Sequence, residues 1–91
     1  MNIKGQIKWV SPVTSFQTQD KRIFQKKEAV IETMEQYPQS LCFEIIGENV
    51  NHQFLEQGYV VEVYYNMKAQ EYQGRYYNKA RAWKIVLIQD K

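Results

Sequence analysis

Two clusters of cations and aromatic rings stand far apart in this 91-residue chain. The first runs Lys21, Arg22, Phe24, Lys26 and Lys27, with Phe16 a little upstream. The second runs Tyr72, Arg75, Tyr76, Tyr77, Lys79 and Arg81. Cations of this kind follow phosphates, and flat rings stack on bases at roughly 1–3 kcal/mol per base. The two types interleaved on one surface would suit a non-catalytic grip on a single strand of nucleic acid. Each cluster also has a plainer reading: solvated loop cations, and tyrosines that pack a core or a subunit contact.

Other chemistries find little support. His52 is the sole histidine, so no ligand set for a metal is in view. Cys42 is the sole cysteine and has no histidine close in sequence, which reads as an inert strand residue. Ser11, Ser15 and Ser40 lie outside any nucleophile-elbow context, and the glycines are too scattered to form a phosphate-cradling loop. Glu28, Glu32 and Glu44 share one strand parity, but outward strand glutamates are normally solubilising. The expectation is therefore a binding protein, not an enzyme, with no cofactor and no metal.

Composition bounds the rest. With 44% hydrophobic residues, 91 positions suffice for one domain spanning 1–91 and leave little room for a deep cleft. No apolar run reaches membrane-spanning length, and Met1–Gln6 lacks a signal-peptide core. A single cysteine excludes an intramolecular disulfide and fits a reducing cytoplasm. The formal net charge is only +2, but it is unevenly spread. Residues 1–27 sum to about +5, residues 28–71 to about −7 and residues 72–91 to about +4.

The elements that must bring the basic ends together can be read from periodicity. Ile3, Gly5, Ile7 and Trp9 alternate with polar neighbours and predict a first strand, with Gly5 marking a bend or bulge. Residues 13–21 read as a loop. Arg22 to Glu35 predicts a second strand with Ala29 and Ile31 inward, and Tyr37-Pro38-Gln39-Ser40 a turn. Leu41, Phe43, Ile45 and Gly47 form the inward parity of a third strand. Residues 48–57 predict a short helix capped by Asn49 and ended by Gly58, burying Val50, Phe54 and Leu55. Tyr59 to Met67 predicts a fourth strand, with Val61, Val63, Tyr65 and Met67 on one side. Glu71 to Tyr76 is a hairpin loop around Gln73-Gly74. The last strand, from about Tyr77 to Ile88, has apolar residues on both parities: Trp83, Ile85 and Leu87 on one, Ala80, Ala82, Val86 and Ile88 on the other. Trp9 and Trp83 are expected in the core or at the barrel seam.

Three strands, a short helix and two strands within about 90 residues favour an all-β, five-stranded OB-fold barrel over other small β folds. Cys42-Phe43-Glu44-Ile45-Ile46-Gly47, then Phe54-Leu55-Glu56-Gln57-Gly58, then Val61-Glu62-Val63 resembles the middle of single-stranded-DNA-binding proteins. Glu32-Thr33-x-Glu35-Gln36-Tyr37-Pro38, Glu71-Tyr72-x-Gly74-Arg75-Tyr76-Tyr77 and Arg81-Ala82-Trp83-Lys84 more closely resemble a family of small bacterial OB-fold proteins of uncharacterised function. The resemblance covers nearly the whole chain and implies the fold; it bears on activity only by analogy.

OB-folds bind oligonucleotides on the face of strands two and three and with the loops joining strands one to two and four to five. On that plan both basic clusters flank one groove. The expected partner is single-stranded DNA, with RNA also open, and the chain is expected to form homo-oligomers away from membranes. The outward parity of strands two and three opposes this reading. Lys26, Glu28, Val30 and Glu32 stand beside Cys42, Glu44 and Ile46, so three glutamates would repel phosphate. No aromatic pair is evident in the middle of that face. The competing expectation is a protein-interaction or oligomerisation module that uses the barrel surface.

Overall fold

The computed structural model describes residues 1–91, apart from the side chain of Glu48. Six strands follow in order: β1 (Asn2–Val10), β2 (Thr14–Gln17), β3 (Ile23–Glu32), β4 (Ser40–Ile46), β5 (Val60–Tyr72) and β6 (Arg75–Gln89). They hydrogen-bond in the order β1-β5-β6-β4-β3-β2, and a further β1–β3 pairing closes the ring. The five strands read from sequence are thus β1, β3, β4, β5 and β6, and they make the expected barrel. Segment 13–21 is not all loop. Thr14–Gln17 pairs with Ile23–Lys26 as a short hairpin that extends β3.

Closure depends on β1 serving two neighbours. Its first half, Asn2–Gln6, pairs with β5, and its second half, Gln6–Val10, pairs with β3. Gly5 sits at the crossing. A Cβ there would stand 2.2 Å from the Glu32 carbonyl oxygen, so no larger residue lets the two backbones approach. On the other side of the barrel, β4 and β6 meet in a short parallel contact, Phe43 opposite Ala80 and Glu44 opposite Arg81.

The inward parity supplies the core: Ile7, Ala29, Ile31, Phe43, Ile45, Val61 and Val63 are all buried, as their alternation predicts. Val50 and Leu55 close one end of the barrel and Phe54 is half-buried. The only helical turn in this segment is a 3-10 turn, Gly47–Asn51, which carries Val50; Phe54 and Leu55 follow it in irregular chain, and no capped α-helix forms. Ile46, with no side-chain hydrogen bond, occupies the cap position expected for Asn49. Gly58 has φ of +103° and donates its N–H to the Ile7 carbonyl, which ties the linker to β1 and ends no helix.

Both tryptophans lie outside the core, at 49% exposure for Trp9 and 53% for Trp83. Each is displaced by a β-bulge. The β1–β3 register slips between Ile7 and Trp9, so Val10 takes the inward slot opposite Ala29 while Trp9 faces out beside Val30. The β5–β6 register slips between Tyr64 and Tyr65, so Trp83 is the extra residue and parity reverses around it. This explains the mixed facing of the last strand. Ala80 and Ala82 point inward before the bulge and Ile85 after it.

Beyond the barrel, β5 and β6 continue as a two-stranded arm. Pairing runs without a break from Tyr65–Ala82 to Tyr72–Arg75, and only Gln73-Gly74 form the turn. Both have positive φ, 51° and 77°, as a tight two-residue hairpin requires. Asn66–Tyr72 and Arg75–Asn78 are exposed throughout. The hairpin loop expected at Glu71 to Tyr76 is therefore the tip of a ribbon about 20 Å long.

Candidate nucleic-acid interface

Strand alternation decides which residues of the two clusters share a face. On the arm, cross-strand pairing puts Asn66, Lys68, Gln70 and Tyr72 beside Arg81, Lys79, Tyr77 and Arg75 respectively. The opposite face of the arm carries Met67, Ala69 and Glu71 with Ala80, Asn78 and Tyr76. Tyr72, Arg75, Tyr77, Lys79 and Arg81 therefore lie together, and Tyr76 does not join them.

The same rule sorts β3. Phe24 and Lys26 face outward with Glu28. Lys27 has the other parity, opposite Ile45, and its charge is felt by Glu56 at the end of the barrel. Lys21 and Arg22 sit at the tip of the β2–β3 hairpin. Arg22 is exposed and paired with Asp20 at 3.2 Å. Thr18 donates its hydroxyl to Asp20, and this hydrogen bond lowers the Asp20 pKa from the ordinary aspartate value.

A groove separates this hairpin from the base of the arm. One depression of about 240 Å³ is lined by Phe16, Lys26, Glu44, Ile46, Gln70, Lys79 and Arg81. A second, of about 310 Å³, shares Phe16, Ile46 and Arg81 and adds Thr18 and Phe24. On the hairpin wall Phe16 and Phe24 are stacked, with centroids 5.7 Å apart and planes 26° from parallel. Their positions follow from the hairpin register, which places them directly opposite each other. This aromatic pair lies on the β2–β3 hairpin, beyond the stretch of β3 that pairs with β4. Reading 13–21 as loop hid it, although the turn residues Thr18–Lys21 between two phenylalanines eight positions apart are a hairpin signal. Gln70 and Thr18 also line the groove without being singled out by the sequence pattern, whereas Ile46 has the outward parity expected on this face.

Two of the three glutamates of this face, Glu28 and Glu44, are not left to repel phosphate. Glu44 is 5% exposed and gathers three cations. Arg81 donates from Nε to Glu44 Oε1 at 3.1 Å, and its Nη2 forms an ion pair with the same oxygen at 3.1 Å. Lys79 Nζ lies 3.2 Å and Lys26 Nζ 3.9 Å from Glu44 Oε2. Glu28 faces the same two lysines at 3.7 and 3.9 Å. Cys42, next to Glu28, has its thiol pKa raised, first by burial and then by the Glu28 charge, so it stays a neutral thiol. The cluster of three cations and two carboxylates keeps a net positive charge. By contrast, no salt bridge among the described residues involves Lys68 or Arg75 on the arm.

The fold has clear relatives among solved structures. A crystal structure of the mitochondrial single-stranded DNA-binding protein Rim1 of S. cerevisiae superimposes with a TM-score of 0.69 at 17% identity, covering 100% of this chain and 96% of that one. A second crystal form of the same yeast protein gives 0.61 at 20% identity, covering 100% and 94%. At these identities the likeness establishes the OB-fold barrel and nothing finer. Among curated proteins no sequence match is found. The model of a family described as a domain of unknown function, DUF3127, matches residues 2–86, and this chain belongs to that family.

Proposed function

We infer that this chain is a non-catalytic binder of single-stranded DNA, held in the groove between the β2–β3 hairpin and the arm and along the arm's outer face. The observation that carries this reading is the stacked Phe16–Phe24 pair facing Lys26, Lys79 and Arg81 across an open groove. Rings that offer a flat, uncommitted face suit bases of any identity, and nearby cations suit the backbone. The fold shared with a yeast protein named for single-stranded DNA binding supports it. Tyr72, Tyr77, Lys68 and Arg75 extend the surface along the arm, and Lys21 and Arg22 bound it at the hairpin tip. The test is a fluorescence anisotropy titration with labelled mixed-sequence DNA and RNA single strands of about 16 nucleotides, at two salt concentrations. Binding of the DNA strand that weakens as salt rises is expected. Absence of binding at low salt overturns the reading, and preference for the RNA strand corrects its partner.

A second surface supports self-association. The outer side of β1, β5 and β6 exposes Trp83 beside Tyr64, with ring centroids 5.6 Å apart and Lys84 Nζ 5.4 Å over the tyrosine ring. A bulged, half-exposed tryptophan on a barrel wall is an anchor for a second copy. Light scattering is expected to show a homo-oligomer that Trp83→Ser dissociates. Self-association would give a weak single-strand binder several linked sites and so avidity.

A further inference from the structure

Resting on the single-strand reading, we propose that Arg81 is a base-stacking platform and not a phosphate ligand, and that Glu44 is the positioning residue that makes it one. The guanidinium is a flat, delocalised cation able to stack on a base as an aromatic ring does. Here it lines both depressions of the groove, opposite the Phe16–Phe24 pair. Glu44 anchors it through one hydrogen bond from Nε and an ion pair with Nη2, both at one oxygen. These contacts sit at the edge of the group, restrict its rotation and offset its charge, while leaving its faces open to stacking. Glu44 itself cannot move away, since it is buried and its other oxygen is held by Lys79 at 3.2 Å. The side chain of Arg81 remains 48% exposed, so part of the anchored group stays open to a ligand.

The division of labour follows from charge. A phosphate approaching Arg81 meets a cation already balanced by a carboxylate at hydrogen-bond distance, whereas Arg75 and Lys68 on the arm form no salt bridge among the described residues. Arg81 therefore holds a base in the groove, and the phosphate contacts concentrate on the arm. The salt dependence of binding resides in the arm cations, and the groove supplies affinity that salt does not screen.

The experiment measures dissociation constants for a 5′-labelled oligothymidylate over a range of salt with wild type, Arg81→Lys, Arg75→Ala and Glu44→Gln. Arg81→Lys keeps the charge and loses the plane; it is expected to weaken binding about tenfold with an unchanged salt slope. Arg75→Ala is expected to flatten the slope by about 0.7. Glu44→Gln is expected to steepen it by a similar amount, because Lys79 and Lys26 become free to meet phosphate. Wild-type affinity in Arg81→Lys, or a salt slope unmoved by Glu44→Gln in a variant with native circular dichroism, overturns the assignment while leaving single-strand binding intact. No binding by the wild type overturns both.

Discussion

The groove and the arm have nearly the same composition, but the cations of the groove are paired and those of the arm are not paired among the described residues. Each offers cations among aromatic rings. In the groove Lys26, Lys79 and Arg81 converge on one buried carboxylate, and Glu28 takes up what Glu44 leaves. On the arm Lys68 and Arg75 form no salt bridge among the described residues, on a ribbon exposed on both faces. The contrast shows that a count of basic residues does not measure affinity for phosphate. What each cation already neutralises decides how much it has left to offer a ligand. The structural supports differ in the same way. The groove floor belongs to the closed barrel and is held by packing, whereas the arm is held only by its own ladder, its two-residue turn and the barrel strands from which it springs.

The largest effect separating the two regions is expected from Gly5→Ala. A methyl group there collides with the Glu32 backbone at the point where β1 changes partners. A loss of about 2 kcal/mol or more is expected in urea unfolding. A wild-type midpoint would show that the crossing is looser than described.

Next comes Glu44→Ala, which leaves three cations facing each other on the barrel wall. Their partial exposure tempers the penalty for breaking a buried pair, so about 1–2 kcal/mol is expected. Arg75→Ala should change stability by less than about 0.5 kcal/mol. Equal costs for the two would erase the distinction between committed and free cations.

The double substitution of Tyr72 and Tyr77 by alanine sharpens the comparison from the other side. It should leave stability within about 0.5 kcal/mol and weaken single-strand binding about tenfold. Unfolding of the double variant would mean that these rings pack something.

The smallest effect concerns the hairpin wall of the groove. Asp20 is held below its ordinary pKa chiefly by the Thr18 hydroxyl. A depressed carboxylate stabilises the fold above its unfolded pKa, and the contribution vanishes as pH falls through the lowered value. Thr18→Ala should raise the Asp20 pKa in an NMR titration, with only a minor change in the turn.

Much of the barrel was legible because period-two alternation maps directly onto buried and exposed faces. Ile7, Ala29, Ile31, Phe43, Ile45, Val61 and Val63 all lie inside as their spacing predicts. What escaped was local irregularity. The bulges beside Trp9 and Trp83 turn two apolar rings outward, and a bulge leaves no mark in hydrophobic pattern alone. The 3-10 turn replaced a helix because Val50 and Leu55 are buried by the barrel end, which needs no regular helix between them. For the site, Phe24, Lys26, Lys79 and Arg81 came together as the fold implied, and Tyr72, Arg75 and Tyr77 followed on the arm. Lys27 and Tyr76 have the other strand parity and do not share this face. The role of Glu44 was hidden because its partners Lys79 and Arg81 are more than thirty residues away and meet it only through the parallel β4–β6 contact.

The most direct test of single-strand binding in the groove is a map of backbone amide shifts during titration with a short oligothymidylate. Shifts concentrated in Phe16–Lys26, at Glu44 and Ile46, and along Lys68–Arg81 are the predicted result. Shifts confined to the outer side of β1, β5 and β6, or no shifts at all, would contradict the account.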